Sequence, residues 1–162
     1  TINHRDFPDR AAFEDALHAA LGEAGVELVC LAGFMRLLTE GFVRRWWDRL
    51  INIHPSLLPA FPGLHTHRRA LEAGVKLHGA TVHFVTPALD HGPILVQAAV
   101  PVLAGDTEDT LAARVLAQEH RIYPMAARWL AQGRVEFRDA DVVQVRGAGV
   151  SSDWSIAPRD PP

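Results

Sequence analysis

The sequence predicts an α/β fold: a mixed sheet of parallel strands plus one antiparallel hairpin, with flanking helices. Three observations carry that expectation. A helical stretch leads into Val26 to Ala32, a nearly continuous apolar run that suits a strand covered on both faces. The same order of helix then buried strand recurs between Thr39 and Ile53. Two later apolar segments, His78 to Val85 and Ile94 to Val102, are joined by Thr86 to Pro93, too short a connection for a helical crossover.

Taken in order, Asp9 is a good N-cap for a helix carrying Phe13, Leu17 and Leu21 at helical spacing and stopped by Gly22 and Gly25. The buried run follows, and it includes Cys30. Thr39 and Glu40 open a short helix through Phe42, Val43, Trp46 and Trp47, and Leu50 to Ile53 forms the second buried strand. Residues 54–64 hold three prolines and a glycine, which predicts a long loop, ordered by its own apolar side chains. Helix resumes over Thr66 to Ala73, and the hairpin comes next. Thr107 begins a helix that Pro124 should kink or briefly interrupt before Leu130 and Gly133. Short strands are expected at Val135–Phe137 and Val142–Val145. Residues 1–146 then form one domain, and 147–162, polar and proline-rich at the end, a flexible tail.

Composition narrows the function classes. At 162 residues the chain can bury one real core, and 48% hydrophobic with 22% charged residues is a globular balance. Sixteen basic against nineteen acidic residues leave −3, with no surplus for a nucleic-acid backbone or an anionic membrane. No apolar run is long enough to span a bilayer. One cysteine excludes an intramolecular disulfide and a cysteine-rich zinc site. A soluble, cytoplasmic, globular protein is the expectation.

The strongest chemical signal is Asn52-Ile53-His54-Pro55-Ser56-Leu57-Leu58-Pro59. In an extended segment Asn52 and His54 project to one face while Ile53 anchors the other. They sit at a strand end before a long loop, where α/β sheets bind ligands. An amide N–H and an imidazole side by side suit acyl transfer, one donating to a carbonyl oxygen and the other stabilising the oxyanion or passing a proton. The same pair could instead only cap the loop. Asp90, in Leu89-Asp90-His91-Gly92-Pro93, would favour the charged imidazole if it lay near His54, or would bond its own turn. His65, His67, His78, His83 and His91 are raw material for a metal site but have no matched ligand spacing, so no metal is expected. Arg44 to Arg49, with its two tryptophans, reads as an amphipathic helix rather than a nucleic-acid patch. Ser56, Ser151 and Ser152 lie in no nucleophile elbow, and the chain has no GxGxxG or Walker loop.

Together with Ala32-Gly33-Phe34-Met35-Arg36-Leu37-Leu38, Pro62-Gly63-Leu64-His65-Thr66-His67 and His78 to Thr86, these motifs closely resemble the phosphoribosylglycinamide formyltransferase family, from Thr1 to about Phe137. The resemblance implies a Rossmann-like formyltransferase sheet. It implies transfer of the formyl group of 10-formyltetrahydrofolate to the amine of glycinamide ribonucleotide in purine synthesis, with no metal and with a monomer or weak homodimer as the working form. Asn52 matches the family asparagine on the formyl oxygen, and His54 the catalytic histidine. Asp90 matches the aspartate that supports that histidine and organises a proton-relaying water. Arg10 matches an arginine near the folate glutamate tail. Met35, Arg36, Leu37 and Leu38 match one pterin-binding wall, and Thr86, Pro87, Ala88, Leu89 and Asp90 match another. Leu116, Ala117, Gln118 and Glu119 match the nucleotide-binding stretch, with Glu119 its contacting carboxylate.

Two departures are visible. Leu116 stands where relatives tend to place a polar or basic group near the nucleotide phosphate. The family also opens with a strand, a glycine-rich phosphate loop, a helix and another strand, which do not occur in these 162 residues. Without them, exposed sheet edges are expected to leave this stretch poorly soluble or inactive. Related readings are a formyltetrahydrofolate deformylase, which typically has a second histidine where Pro55 stands, and a methionyl-tRNA formyltransferase, which usually has Arg-Gly near Phe61-Pro62-Gly63. A folate-binding fragment without turnover is the reading from outside enzymology.

Overall fold

The computed structural model describes residues 1–34, 36–139, 142–149 and 155–157. After a 3-10 turn over His4–Asp6, α1 (Arg10–Glu23) starts at Asp9, whose carboxylate accepts from the Ala12 N–H at 2.8 Å. β1 (Val29–Leu31) and β2 (Leu50–His54) run parallel, with α2 (Glu40–Arg45) between them in the chain. Thr39 caps α2, and its backbone N–H and hydroxyl both donate to the buried Glu14 carboxylate, which ties α2 to α1. α3 (Thr66–Glu72) precedes the hairpin of β3 (Leu77–Phe84) and β4 (Ile94–Pro101). α4 (Glu108–Ala131) is followed by β5 (Val135–Asp139) and β6 (Val142–Val145), which pair with each other in a separate small sheet. β7 (Ile156–Ala157) completes the main sheet, whose order is β1-β2-β3-β4-β7. Among the described residues only β1 and β2 are parallel; the other pairs are antiparallel.

Two apolar clusters sandwich the sheet. Ile51, Val82, Phe84, Val96 and Ala98 bury against Leu111, Val115, Ile122, Ala126 and Trp129 of α4. Phe42, Val43 and Trp46 of the α2 region close over Leu50, with Leu17 and Leu21 of α1 beside them. Each fully buried large side chain contributes roughly 1.5–3 kcal/mol, so β2 is pinned from both sides.

Three local expectations are corrected. β1 is short and its Cys30 side chain is exposed, because β1 lies at the edge of the described sheet rather than between two strands. α4 runs through Pro124 without interruption. A mid-helix proline costs about 3 kcal/mol, and burial of Val115 and Ile122 before it and Ala126 and Trp129 after it outweighs that. The segment expected as a tail from Gly147 contributes Ile156–Ala157, paired with Ala98 and Gln97, and Ser155 O accepts from the Ala99 N–H at 2.7 Å. Strand addition uses backbone groups that an open β4 edge would leave unpaired, and a polar side-chain composition does not report on it. Residues 150–154 and 158–162 lie outside the described part of the chain.

Candidate active site

Alternation along β2 sends Ile51 and Ile53 toward the α4 core, and Asn52 and His54 to the opposite face at the strand's C-terminal end. Opposite them on β3 stand His83, in register with Asn52, and Thr81, in register with His54. A β-bulge falls between Val82 and His83 where β3 pairs β4, so regular pairing breaks at the residue that faces Asn52.

His54 is held at both ring nitrogens. Its Nε2 lies 3.0 Å from the Phe61 carbonyl, which can only accept, so Nε2 carries a proton. Nδ1 faces Asp90 Oδ2 at 3.5 Å, and the two side chains are 7% and 8% exposed. Nδ1 is therefore the ring nitrogen that is not bonded to a backbone carbonyl. Asp90 adopts φ 53°, in the left-handed region that aspartate tolerates, and its Oδ2 accepts from the Gly63 N–H at 2.8 Å. It thus bonds a neighbouring loop rather than its own turn.

Asn52 is oriented by His83. The His83 Nδ1–H donates to the Phe84 carbonyl at 2.9 Å, which leaves a lone pair on Nε2, and Asn52 Nδ2 lies 3.4 Å from it. Burial holds His83 below the ordinary imidazole range and so keeps that lone pair available. One Asn52 amide hydrogen is committed to His83 and the other is left for the cleft. His83 is the site residue that sequence reasoning missed as a positioning group; the signal was its cross-strand register, which follows only from the observed pairing.

A cleft of about 930 Å³ opens over this floor. Phe34, Arg36 and Leu37 form one wall, Leu64, His65 and His67 another, and Leu116, Glu119 and Tyr123 of α4 a third. A smaller pocket of about 80 Å³ shares Asn52, Asp90 and Leu37 and is walled by Leu38, Val85, Thr86, Pro87 and Leu89. Burial raises the Glu119 carboxyl above its usual range. The Tyr123 hydroxyl donates to the Leu31 carbonyl at 2.6 Å, bracing β1 against α4. Among the described residues no group of three or more His, Cys, Asp or Glu is arranged to hold a metal.

The candidate residues therefore divide. Asn52, His54 and Asp90 converge; Arg36, Leu37, Leu38, Thr86, Pro87 and Leu89 surround the small pocket, and Leu116 and Glu119 face the large one. Ala117 and Gln118 line neither cavity, because a helix with 3.6 residues per turn brings 116, 119, 120 and 123 to one face and turns 117 and 118 away. Gln118 instead accepts from Arg121 at 3.0 Å. Arg10 is exposed on the first turn of α1 and lines neither cavity, nor does Ala88, whose carbonyl accepts from the Thr86 hydroxyl. Met35 lies outside the described residues.

Two expected results follow from the surrounding packing. A Cβ added at Gly92 would sit 1.7 Å from the Phe84 carbonyl oxygen, so Gly92→Ala should displace the Asp90 loop and destabilise the fold by about 1–3 kcal/mol. An unchanged thermal midpoint would contradict that. Beside the cleft, His67 Nδ1 and His78 Nε2 lie 3.2 Å apart, a bond that needs at least one unprotonated ring. Burial lowers His67 and, more strongly, His78, to about 4 from an ordinary 6.5. A depressed imidazole gives its stabilisation above the unfolded value, so this contribution is full above about pH 6.5 and is lost as pH falls toward 4. Thermal midpoints measured across that window should drop, and drop less in His78→Gln; parallel curves would remove the pair as the cause.

A family model described as formyl transferase matches residues 1–127. The phosphoribosylglycinamide formyltransferase of Escherichia coli K12 is 52% identical over 133 residues, covering 82% of this chain and 63% of the relative. The chain thus spans less than two thirds of that protein's length. Among solved structures, glycinamide ribonucleotide transformylase 1 from Symbiobacterium toebii superposes with a TM-score of 0.85 at 53% identity, over 88% of this chain and 67% of that one. A formyltetrahydrofolate deformylase from Pseudomonas syringae is more distant, at TM-score 0.79 and 31% identity over 85% of this chain and 46% of its own.

Proposed function

Since the chain belongs to the formyl transferase family, we propose that it transfers the formyl group of 10-formyltetrahydrofolate to the primary amine of glycinamide ribonucleotide, a step of purine synthesis. The observation that carries this reading is the convergence of Asn52, His54 and Asp90 on the floor of a cleft large enough for two small substrates. In this account the pterin enters the small pocket between Arg36–Leu38 and Thr86–Leu89. The acceptor lies along α4, with the Glu119 carboxylate as a partner for its hydroxyls.

The amine nitrogen attacks the formyl carbon, and the carbonyl electron pair moves onto oxygen. The free Asn52 N–H and the Nδ1–H of protonated His54 donate to that oxyanion, where removing one such donor typically costs about 10²–10³ in rate. Asp90, carrying the opposite charge beside Nδ1, stabilises the imidazolium. On collapse the carbon–N10 bond breaks, N10 takes up a proton, and the former amine gives one up, so that the products are the N-formyl amide and tetrahydrofolate. His54, with its Nε2 proton fixed on Phe61, has only Nδ1 with which to serve this proton traffic.

A hydrolytic reading, with water as acceptor, is favoured less: Pro55 follows His54 directly, and identity to the deformylase structure is lower. Labelled formyl donor supplied with and without glycinamide ribonucleotide separates the two. Label in the N-formyl product only when the amine is present is the expected result. Release of formate at the same rate without the amine would overturn it.

A further inference from the structure

The groups that fix His54 and Asp90 come from one loop, and that loop is held from β4. Across three neighbouring strands, His54, Thr81 and Gln97 stand in register on one row. The loop after β2 folds back over this row. Its Leu58 N–H donates to the Thr81 hydroxyl oxygen at 3.0 Å, and the Thr81 hydroxyl donates to the Ser56 carbonyl at 2.7 Å. Gln97 Nε2 donates to the Leu58 carbonyl at 2.8 Å and to Thr81 Oγ1 at 3.0 Å, closing the clasp. Leu57 Cδ2 stands 2.9 Å from where a Gly79 Cβ would be, so the loop is pressed on the strand as well as bonded to it. Three residues beyond Leu58, the Phe61 carbonyl meets His54 Nε2, and two further on the Gly63 N–H meets Asp90.

We infer that Gln97 is a positioning residue for His54: its amide seats the 56–61 loop so that the Phe61 carbonyl keeps the proton on Nε2 and leaves Nδ1 for the reaction. The inference rests on the proposed transferase reading for its kinetic consequence, and on geometry alone for the state of the ring. Gln97 touches neither cavity, so its effect passes through the loop. Chemically, the clasp needs a donor at this position. Both Leu58 O and the already committed Thr81 oxygen are acceptors toward Gln97, and a carboxylate of the same shape would meet them with a third acceptor.

Gln97→Glu tests this with little change in volume. Formyl transfer should lose about ten-fold or more in kcat, with the folate KM within about two-fold, since misplacing a catalytic group by about 1 Å costs up to about 10²-fold. The double variant His54→Ala/Gln97→Glu should be no slower than His54→Ala, because Gln97 acts only through the ring. A further loss in the double variant would overturn the inference. Nitrogen-15 NMR of the His54 ring gives a readout independent of turnover: Nε2-protonated in the parent protein, and redistributed toward Nδ1 in Gln97→Glu. Unaltered ring shifts would overturn the inference whatever the enzyme's activity, while redistributed shifts without formyl transfer would leave it standing and count against the transferase reading. Gln97→Met, of equal length and without charge or donor, supplies the same measurements if the glutamate variant does not fold.

Discussion

His54→Ala is expected to lower formyl transfer about 10²–10⁴-fold while the affinity for folate changes by no more than about two-fold. In the proposed reaction the ring works through Nδ1 alone, since Nε2 is bound to the Phe61 carbonyl. The walls of the small pocket proposed for the pterin come from Arg36–Leu38 and the Thr86–Leu89 segment, which the substitution leaves in place. Removing a nearly buried ring also opens a cavity, so the variant's thermal midpoint has to be read beside its rate. Loss of rate in a folded variant with retained folate binding is the expected pattern. Turnover equal to the parent's would take His54 out of the mechanism.

Asp90→Asn should cost about 10²-fold in kcat, and it is a cleaner substitution than most. Asparagine tolerates the left-handed backbone that Asp90 adopts, at φ 53°. Its side-chain oxygen can still accept from the Gly63 N–H, the bond that fixes the loop. What disappears is the negative charge facing His54 Nδ1 at 3.5 Å and His83 Nε2 at 3.8 Å. The protonated imidazole then has no counter-charge in a site where both side chains are nearly buried, and oxyanion stabilisation weakens. Steady-state rates with both substrates saturating test this. A rate within about two-fold of the parent would assign Asp90 to loop structure alone.

Much of the fold was legible because local signals and burial agreed. Asp9, Thr39 and Thr107 cap the three helices that the sequence places after them, and the expected strand Leu50 to Ile53 is the pinned β2, which runs one residue further to His54. The hairpin followed from a connection too short for a crossover. Period-two alternation alone placed Asn52 and His54 on one face. Asp90, by contrast, was joined to them through family resemblance. The physical cause of its placement, a left-handed backbone and a bond to Gly63 from a different loop, is tertiary.

The same distinction explains what stayed hidden. His83 depends on a cross-strand register and an adjacent bulge, neither of which has a local sequence mark. Phe61 and Gly63 act through backbone atoms, so their side chains say nothing about it. Ile156–Ala157 joins the sheet by backbone pairing with β4. Ala117 and Gln118 were carried as a contiguous stretch with Glu119, whereas a helix presents every third or fourth residue to a ligand. Arg10 comes from the family resemblance alone, as an arginine near the folate glutamate tail, and it lines neither cavity.

The proposed chemistry depends on where the transferred carbon is held. A crystal structure with a non-transferable 10-formyl analogue of the folate measures that position directly. The formyl oxygen should lie within about 3.2 Å of both Asn52 Nδ2 and His54 Nδ1, with the pterin between Arg36–Leu38 and Thr86–Leu89. A formyl oxygen bound beyond reach of both atoms, with either side chain turned into the packed interior, would contradict it.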